Sequence, residues 1–213
     1  MNYLKTLIVT MLLASGCAIV VPAAPLPTDA NGQLLIRTDG EIASIASFVL
    51  YRTSAGVLYA FSAGHCVESN ATYIGIWQDH PVSMTPVYVD TNHDISVFSV
   101  ADQTLQPPVM TAVEIATNKD AAVTTVGSCH RRWCPVLVNG AYRQTAEGYA
   151  IYDMPGITQG YSGAGVFDAA GRLVGLVVIR IEETGYAGIV PMSTVNDALR
   201  TDDRVELLPR VTN

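Results

Sequence analysis

The feature that most constrains the fold is a series of short apolar and β-branched runs, each closed by a turn signal. Their lengths, between four and ten residues, are usual for strands and short for helices. Many short strands at this spacing are typical of a barrel or a sandwich, so the sequence predicts an all-β fold. The runs cover residues 45–51, 57–62, 71–77, 94–100, 121–126, 148–153, 165–168 and 172–181.

Two local patterns refine this prediction. Residues 168–171 read Asp-Ala-Ala-Gly and supply a hairpin turn between two of the runs, with glycine where a left-handed backbone is needed. Near the end of the chain, Thr194 and Asp197 have the spacing of a capping box. This spacing predicts one short helix that starts at Thr194 and continues through residues 198–200.

The composition indicates one globular domain, predicted over residues 33–209. Of the 213 residues 49% are hydrophobic and 15% are charged, against about 25% charged in an average soluble domain. The net charge is −7, and no basic run is present that would follow a phosphate backbone, so nucleic acid is not an expected partner. Neither a metal nor a cofactor is expected, because the sequence contains no H-E-x-x-H or equivalent cluster.

Residues 1–24 predict an export signal. Lys5 precedes an apolar stretch, residues 7–21, which is shorter than the roughly 20 residues that a membrane-spanning helix needs. Residues 25–32 are rich in proline and small residues, which is typical of a linker. The protein is therefore expected to be exported, as a periplasmic or cell-envelope lipoprotein or in secreted form.

Two routes of signal processing stay open. Residues 13–17 resemble a bacterial lipobox that ends at Cys17, whose acylated thiol would attach the protein to a membrane. The small residues at 21–23 instead suit an ordinary signal peptidase, which would release a chain without that anchor.

The remaining cysteines predict one disulfide. Four residues separate Cys129 from Cys134, and in an exported chain this pair is expected to close a small loop. The alternative is a metal site in which His130 joins the two thiols, but nothing at zinc spacing supplies a fourth ligand. Cys66 follows His65 in an apolar run and is expected to be a buried thiol.

Three segments hold the residue types that nucleophilic acyl transfer needs. A serine nucleophile needs a base, an acid that holds the base in one tautomer, and backbone N–H groups that receive the oxyanion. His65 lies in FSAGHCV, Asp94 opens the run in HDISVFSV, and Ser162 lies between glycines in TQGYSGAGV. The order His, Asp, Ser differs from that of the subtilisin and α/β-hydrolase triads.

These segments resemble the chymotrypsin-like serine proteases, whose corresponding stretches read approximately TAAHC, D-I-A-[VL] and G-x-S-G-[GSA]. Residues 164–178 and 185–199 are similar to the last hairpin, substrate-binding strand and terminal helix of compact bacterial HtrA-like peptidases. The resemblance implies two six-stranded antiparallel β-barrels with a short C-terminal helix. It implies no PDZ module, because few residues follow Leu199.

The resemblance also implies the activity of a serine endopeptidase with a protein or peptide substrate. Ser162 would attack the scissile carbonyl, His65 would move the proton and Asp94 would orient His65. The N–H groups of Gly160 and Ser162 would bind the oxyanion. Tyr161 stands where digestive relatives have an aspartate that pairs with a newly cut amino terminus, so propeptide activation is not expected.

Carried over from the family, the substrate pocket is expected to have Gly156 at its floor. Its walls would be formed by Val178, Ile179, Arg180, Gly188 and Val190. Without a carboxylate at the floor, a small or medium apolar side chain is expected before the scissile bond, with an acidic one as the alternative if Arg180 faces the pocket. Two other functions stay open, a catalytically silent binding module and a hydrolase of small esters or amides.

Overall fold

This computed structural model describes residues 27–129, 132–181 and 184–200. They contain twelve strands and one α-helix, joined by turns and loops. The predicted export signal with Cys17 lies outside these ranges, as do His130 and the side chains of Cys134 and Arg180. The elements are β1 (Asn31–Thr38), β2 (Glu41–Arg52), β3 (Leu58–Ala63), β4 (Thr72–Trp77), β5 (His80–Asp90), β6 (Ile95–Val100), β7 (Ala122–Cys129), β8 (Arg132–Ala146), β9 (Tyr149–Asp153), β10 (Gly165–Asp168), β11 (Leu173–Ile181), β12 (Tyr186–Pro191) and α1 (Met192–Leu199).

The strands close into two antiparallel barrels, one from each half of the chain. Around the first barrel the order is β1-β2-β3-β6-β5-β4, and around the second it is β10-β11-β12-β9-β8-β7. Closure pairs every strand on both sides, so no strand edge is left free. The predicted all-β class, the two six-stranded barrels and the short C-terminal helix are confirmed.

The core follows from where each face of a strand points. β4 alternates buried with more exposed residues, as expected for a strand with one face inside a barrel. β3 is buried along its whole length, because one face lines its own barrel and the other lies toward the second barrel. The interface between the barrels is therefore part of the core, and β3 contacts β11 there.

The fold begins before Gln33, where the sequence predicted a linker over residues 25–32. Residues Pro27–Ala30 form a 3-10 turn, and Trp77 donates from Nε1 to the carbonyl of Asp29 at 2.7 Å. Asn31 is buried and joins the barrels, donating from Nδ2 to the carbonyls of Val126 and Gly165 at 2.8 and 3.0 Å. These contacts are long-range, so local composition could not reveal them.

Four strands were not predicted as runs: β1, β5, β8 and β12. In β5, Pro81 and Pro86 interrupt the apolar pattern, yet both residues are paired, Pro86 beside a bulge opposite β6. Prolines are accepted at such irregularities because no ladder hydrogen bond is lost there. Local turn signals therefore concealed a strand that the closed barrel requires.

The helix α1 starts at Met192, two residues before the predicted capping residue Thr194. Its N-cap is Pro191, and no side chain caps it. The capping-box prediction is therefore wrong. Met192, Val195 and Leu199 are buried at helical spacing, and Tyr88 of β5 donates to the carbonyl of Ala198 at 3.2 Å. The helix is thus stabilised by packing of its apolar face on the barrels and not by an N-terminal cap. No helix in the described ranges combines the length and hydropathy needed to cross a membrane.

Candidate active site

His65 and Asp94 come together because of the pairing between β3 and β6. Ala63 at the end of β3 lies opposite Ile95 at the start of β6. His65 lies in the 3-10 turn that follows β3, and Asp94 immediately precedes β6. One register thus brings residues 29 positions apart in sequence to the same end of the first barrel.

Hydrogen bonds hold the imidazole of His65 against the carboxylate of Asp94. The distances from Nδ1 of His65 are 2.8 Å to Oδ2 and 3.1 Å to Oδ1. The backbone N–H of His65 donates to Oδ1 at 2.7 Å, and Asp94 has a φ of 56°. With Nδ1 donating to the carboxylate, Nε2 is left as the acceptor that a general base needs.

The two groups shift each other's ionisation. The hydrogen bond that His65 donates to Asp94, followed by the one it makes with Cys66, raises the pKa of His65 from 6.5 to about 10. Burial raises the pKa of Asp94, but the hydrogen bonds from the ring and backbone of His65 and from Gly64 outweigh burial and lower it overall. The pair therefore favours imidazolium beside carboxylate, the charge state that forms when a histidine takes a proton from a serine.

Ser162 belongs to the second barrel and precedes β10 in a loop between two glycines of left-handed φ. Gly160 has φ of 105°, and a Cβ there would lie 2.8 Å from the carbonyl oxygen of Ser128. Gly163 has φ of 87°, and a Cβ there would overlap Ser47 and Ser62. Ser62 lies on β3, three residues before His65, so the loop that carries Ser162 packs against the strand that leads into the histidine turn. Both glycines of the G-x-S-G pattern are thus required by backbone geometry and space.

The loop presents two free N–H groups. Within the described ranges, neither the N–H of Gly160 nor that of Ser162 has a hydrogen-bond acceptor, whereas the next N–H, of Gly163, donates to Val177 at 2.7 Å. Among the described residues, no hydrogen bond joins Ser162 Oγ to His65. In enzymes, catalytic hydrogen bonds of this kind are often long or unformed before substrate binds. Two free donors around a serine are the arrangement that an oxyanion needs.

A cavity of about 230 Å³ adjoins Ser162. Residues 157–162 form one side, and Val177 and Ile179 of β11 form the other. Of the six residues predicted for the pocket, Ile179 lines it. Thr158 brings a buried Oγ1 that has no hydrogen-bond partner among the described residues. The cavity thus combines the apolar side chains of Ile157, Val177 and Ile179 with polar groups that include those of Thr158, Gln159 and Ser162.

The other predicted pocket residues with described side chains lie behind or beside this cavity. Val178 and Val190 are buried in the core that joins the two barrels. Gly188 lies opposite Ile179, where a Cβ would come within 3.0 Å of that side chain, and Gly156 faces Val138. Strand alternation could have found Val177, because residues 177 and 179 share a face and Val178 does not.

A larger cavity, of about 550 Å³, lies elsewhere on the second barrel, between Pro27, Leu137 and the turn at residues 168–171. The carboxylate that lines it, Asp168, is paired with Arg172 at 2.6 Å. No triad residue reaches this cavity, so it offers no comparable chemistry.

The predicted disulfide falls at the hairpin between β7 and β8. Cys129 lies opposite Arg132, and Cys134 lies opposite Gly127, so the cysteines occupy neighbouring strands near one turn. Their pairing stays a prediction. Cys66 is a buried free thiol. Among the described residues, no three His, Cys, Asp or Glu side chains are grouped as metal ligands would be.

Comparisons with known proteins agree with this architecture. No curated protein sequence matches the chain. The crystal structure of the serine endoprotease from Yersinia pestis is similar, with a TM-score of 0.70 at 20% identity. The match covers 84% of this chain and 65% of that chain, so it concerns the fold. The model of the trypsin-like peptidase domain matches residues 35–176, which include His65, Asp94 and Ser162. The chain belongs to the family of trypsin-like peptidase domains.

Proposed function

We propose that this protein is a serine endopeptidase that cleaves peptide bonds through an acyl-enzyme on Ser162. The observation that carries the proposal is the oriented pair of His65 and Asp94, together with a serine whose loop packs against the strand leading to His65 and offers two free N–H groups. A silent domain has no need for that combination, because each element serves one step of acyl transfer.

The first half-reaction follows from these positions. Ser162 Oγ attacks the scissile carbonyl carbon while Nε2 of His65 takes the hydroxyl proton, and the carbonyl oxygen becomes an oxyanion facing the N–H groups of Gly160 and Ser162. Collapse of the tetrahedral intermediate breaks the C–N bond, and His65 passes its proton to the leaving amine. Asp94 keeps the protonated imidazole in place, in line with the raised pKa of His65.

Water completes the second half-reaction by the same route. His65 takes a proton from the water that attacks the acyl carbon, and then returns it to Ser162 Oγ as the ester bond breaks. The products are a free carboxyl terminus and the unchanged enzyme.

We propose that the side chain before the scissile bond is small to medium and apolar. Apolar side chains of Ile157, Val177 and Ile179 line the cavity beside Ser162 together with Thr158 and Gln159, and none of the described residues brings a carboxylate into it. Cleavage after Lys or Arg would need a buried negative charge at this place. A peptide library cleaved mainly after Val, Ala, Ile or Leu supports the assignment, and one cleaved mainly after Lys or Arg contradicts it.

We also propose that the protein is exported through the signal at residues 1–24 and is attached to a membrane by a lipid on Cys17. An oxidising compartment would also suit a bond between Cys129 and Cys134.

The decisive experiment is labelling with a fluorophosphonate probe. The parent is expected to be labelled and Ser162→Ala is not. The matched control is Ser99→Ala, which removes another exposed hydroxyl from the first barrel. A folded parent that the probe does not label would favour the silent binding module. A labelled parent that cleaves esters and no peptide would favour the small-ester hydrolase.

A further inference from the structure

Ser47 connects the first barrel to the loop that carries Ser162. It lies on β2 and is completely buried. Its N–H donates to the carbonyl of Ser162 at 2.8 Å, and its Oγ donates to the carbonyl of Gly160 at 2.8 Å. One residue thus holds the carbonyl groups of both residues whose N–H groups are free.

Two further bonds hold Ser47 itself in place. Its Oγ accepts the N–H of Ser128 at 2.8 Å, and its carbonyl accepts the hydroxyl of Ser62 at 2.7 Å. Because the N–H of Ser128 uses an acceptor site on Oγ, the hydroxyl proton is directed to the carbonyl of Gly160. The direction of the hydrogen bond from Ser47 Oγ to Gly160 is therefore determined by residues on strands β3 and β7, not by the loop itself.

Gly160 needs such a restraint. Glycine populates positive and negative φ about equally, so its own backbone does not select the conformation with φ of 105°. Residues 157–162 belong to no strand, so no ladder holds them either. The bond from Ser47 fixes the peptide group that follows Gly160 on the buried side, and so restrains the backbone rotation about Gly160 that positions its N–H, in a residue that also lines the cavity.

We infer that Ser47 is a positioning residue that sets the oxyanion-binding conformation of residues 160–162 from the opposite barrel. The inference rests on the proposed function, because an oxyanion forms only if Ser162 attacks an acyl group. Ser47 touches neither substrate nor the reacting atoms. It acts through the peptide groups that follow Gly160 and Ser162, whose carbonyl oxygens it holds.

The test compares Ser47→Ala with the parent. The substitution leaves the Gly160 carbonyl and the Ser128 N–H without their buried partner, and frees the loop to rotate away from the oxyanion conformation. Loss of one oxyanion donor costs about 10²- to 10³-fold in kcat, so partial displacement is expected to lower kcat about 10- to 100-fold with KM nearly unchanged. The inflection of the pH–activity profile should not shift, because the substitution leaves His65 and Asp94 unchanged.

A second measurement separates positioning from general loss of structure. A peptide aldehyde forms a hemiacetal oxyanion on the serine, whereas the matching peptide amide does not. Ser47→Ala should weaken the binding of the aldehyde by the same factor as it lowers kcat. The affinity for the amide should stay within about twofold of the parent's. The control is Thr125→Val, which removes an equally buried hydroxyl that donates to the carbonyl of Gly165 at 2.7 Å. It should leave the aldehyde-to-amide ratio unchanged.

Each outcome of these measurements supports or contradicts either the inference or the proposed function. A folded Ser47→Ala enzyme with parent kcat and parent aldehyde affinity would overturn the inference and leave the proposed function standing. A parent that no fluorophosphonate labels would overturn the proposed function instead. If Ser47→Ala does not fold, Ser47→Cys keeps a weaker donor of similar size. An intermediate aldehyde-to-amide ratio in Ser47→Cys supports the inference, and a ratio equal to the parent's contradicts it.

Discussion

Asp94→Asn is the substitution whose consequence the structure specifies most closely. Oδ1 of Asp94 accepts the backbone N–H of His65 at 2.7 Å, and Oδ2 lies 2.8 Å from the ring Nδ1. An asparagine has one oxygen and one NH₂ group to place at these two positions. The backbone N–H can only donate, so the amide oxygen must face it and the NH₂ group must face Nδ1.

This orientation puts the imidazole in the wrong tautomer. With an NH₂ donor opposite, Nδ1 has to accept, so the ring proton moves to Nε2. His65 then presents a donor to Ser162 and cannot take its proton. In trypsin-like triads this tautomer costs about 10⁴ in kcat, which corresponds to about 5.5 kcal/mol of transition-state stabilisation.

The assay is kcat on a peptide substrate together with the rate of fluorophosphonate labelling, both expected to fall about 10⁴-fold. The matched control is Asp90→Asn, four residues earlier at the end of β5. Asp90 pairs with His93 at 2.7 Å and not with His65, so that variant should stay within about tenfold of the parent. Near-parent activity of Asp94→Asn, with a large loss in Asp90→Asn, would refute the assignment of Asp94.

Three further outcomes are expected. Because protonated His65 cannot act as a base and Asp94 raises its pKa, kcat/KM should rise with pH to an inflection above 6.5, and Asp94→Asn should move the inflection of the residual activity downward. Asn31→Ala removes three buried hydrogen bonds, two of them with Gly165, and should lower the free energy of unfolding by about 3 kcal/mol, seen as a lower urea midpoint at unchanged slope. The full-length protein should partition into detergent, and Cys17→Ser should shift it to the aqueous phase; a soluble parent that starts near Ala24 would contradict lipidation.

The sequence determined the features that depend on neighbours along the chain. Strand runs could be predicted because each alternates or stays apolar between turn residues. The G-x-S-G pattern around Ser162 could be recognised because φ values of 105° and 87° at Gly160 and Gly163 admit little but glycine. The order of His65, Asp94 and Ser162 then indicated the fold by resemblance. All of this is information carried by short segments.

Tertiary structure decided whatever depends on which strands meet. Only the pairing of Ala63 with Ile95 brings His65 to Asp94. Closure of the second barrel decides which face of β11 lies toward the cavity, so Val177 and Ile179 line it and Val178 is buried in the core. Ser47 appears in sequence as one more serine in a strand, and its link to Gly160 spans 113 positions. Such contacts are selected by barrel closure and by the need to satisfy buried polar groups, and a local segment carries no record of either.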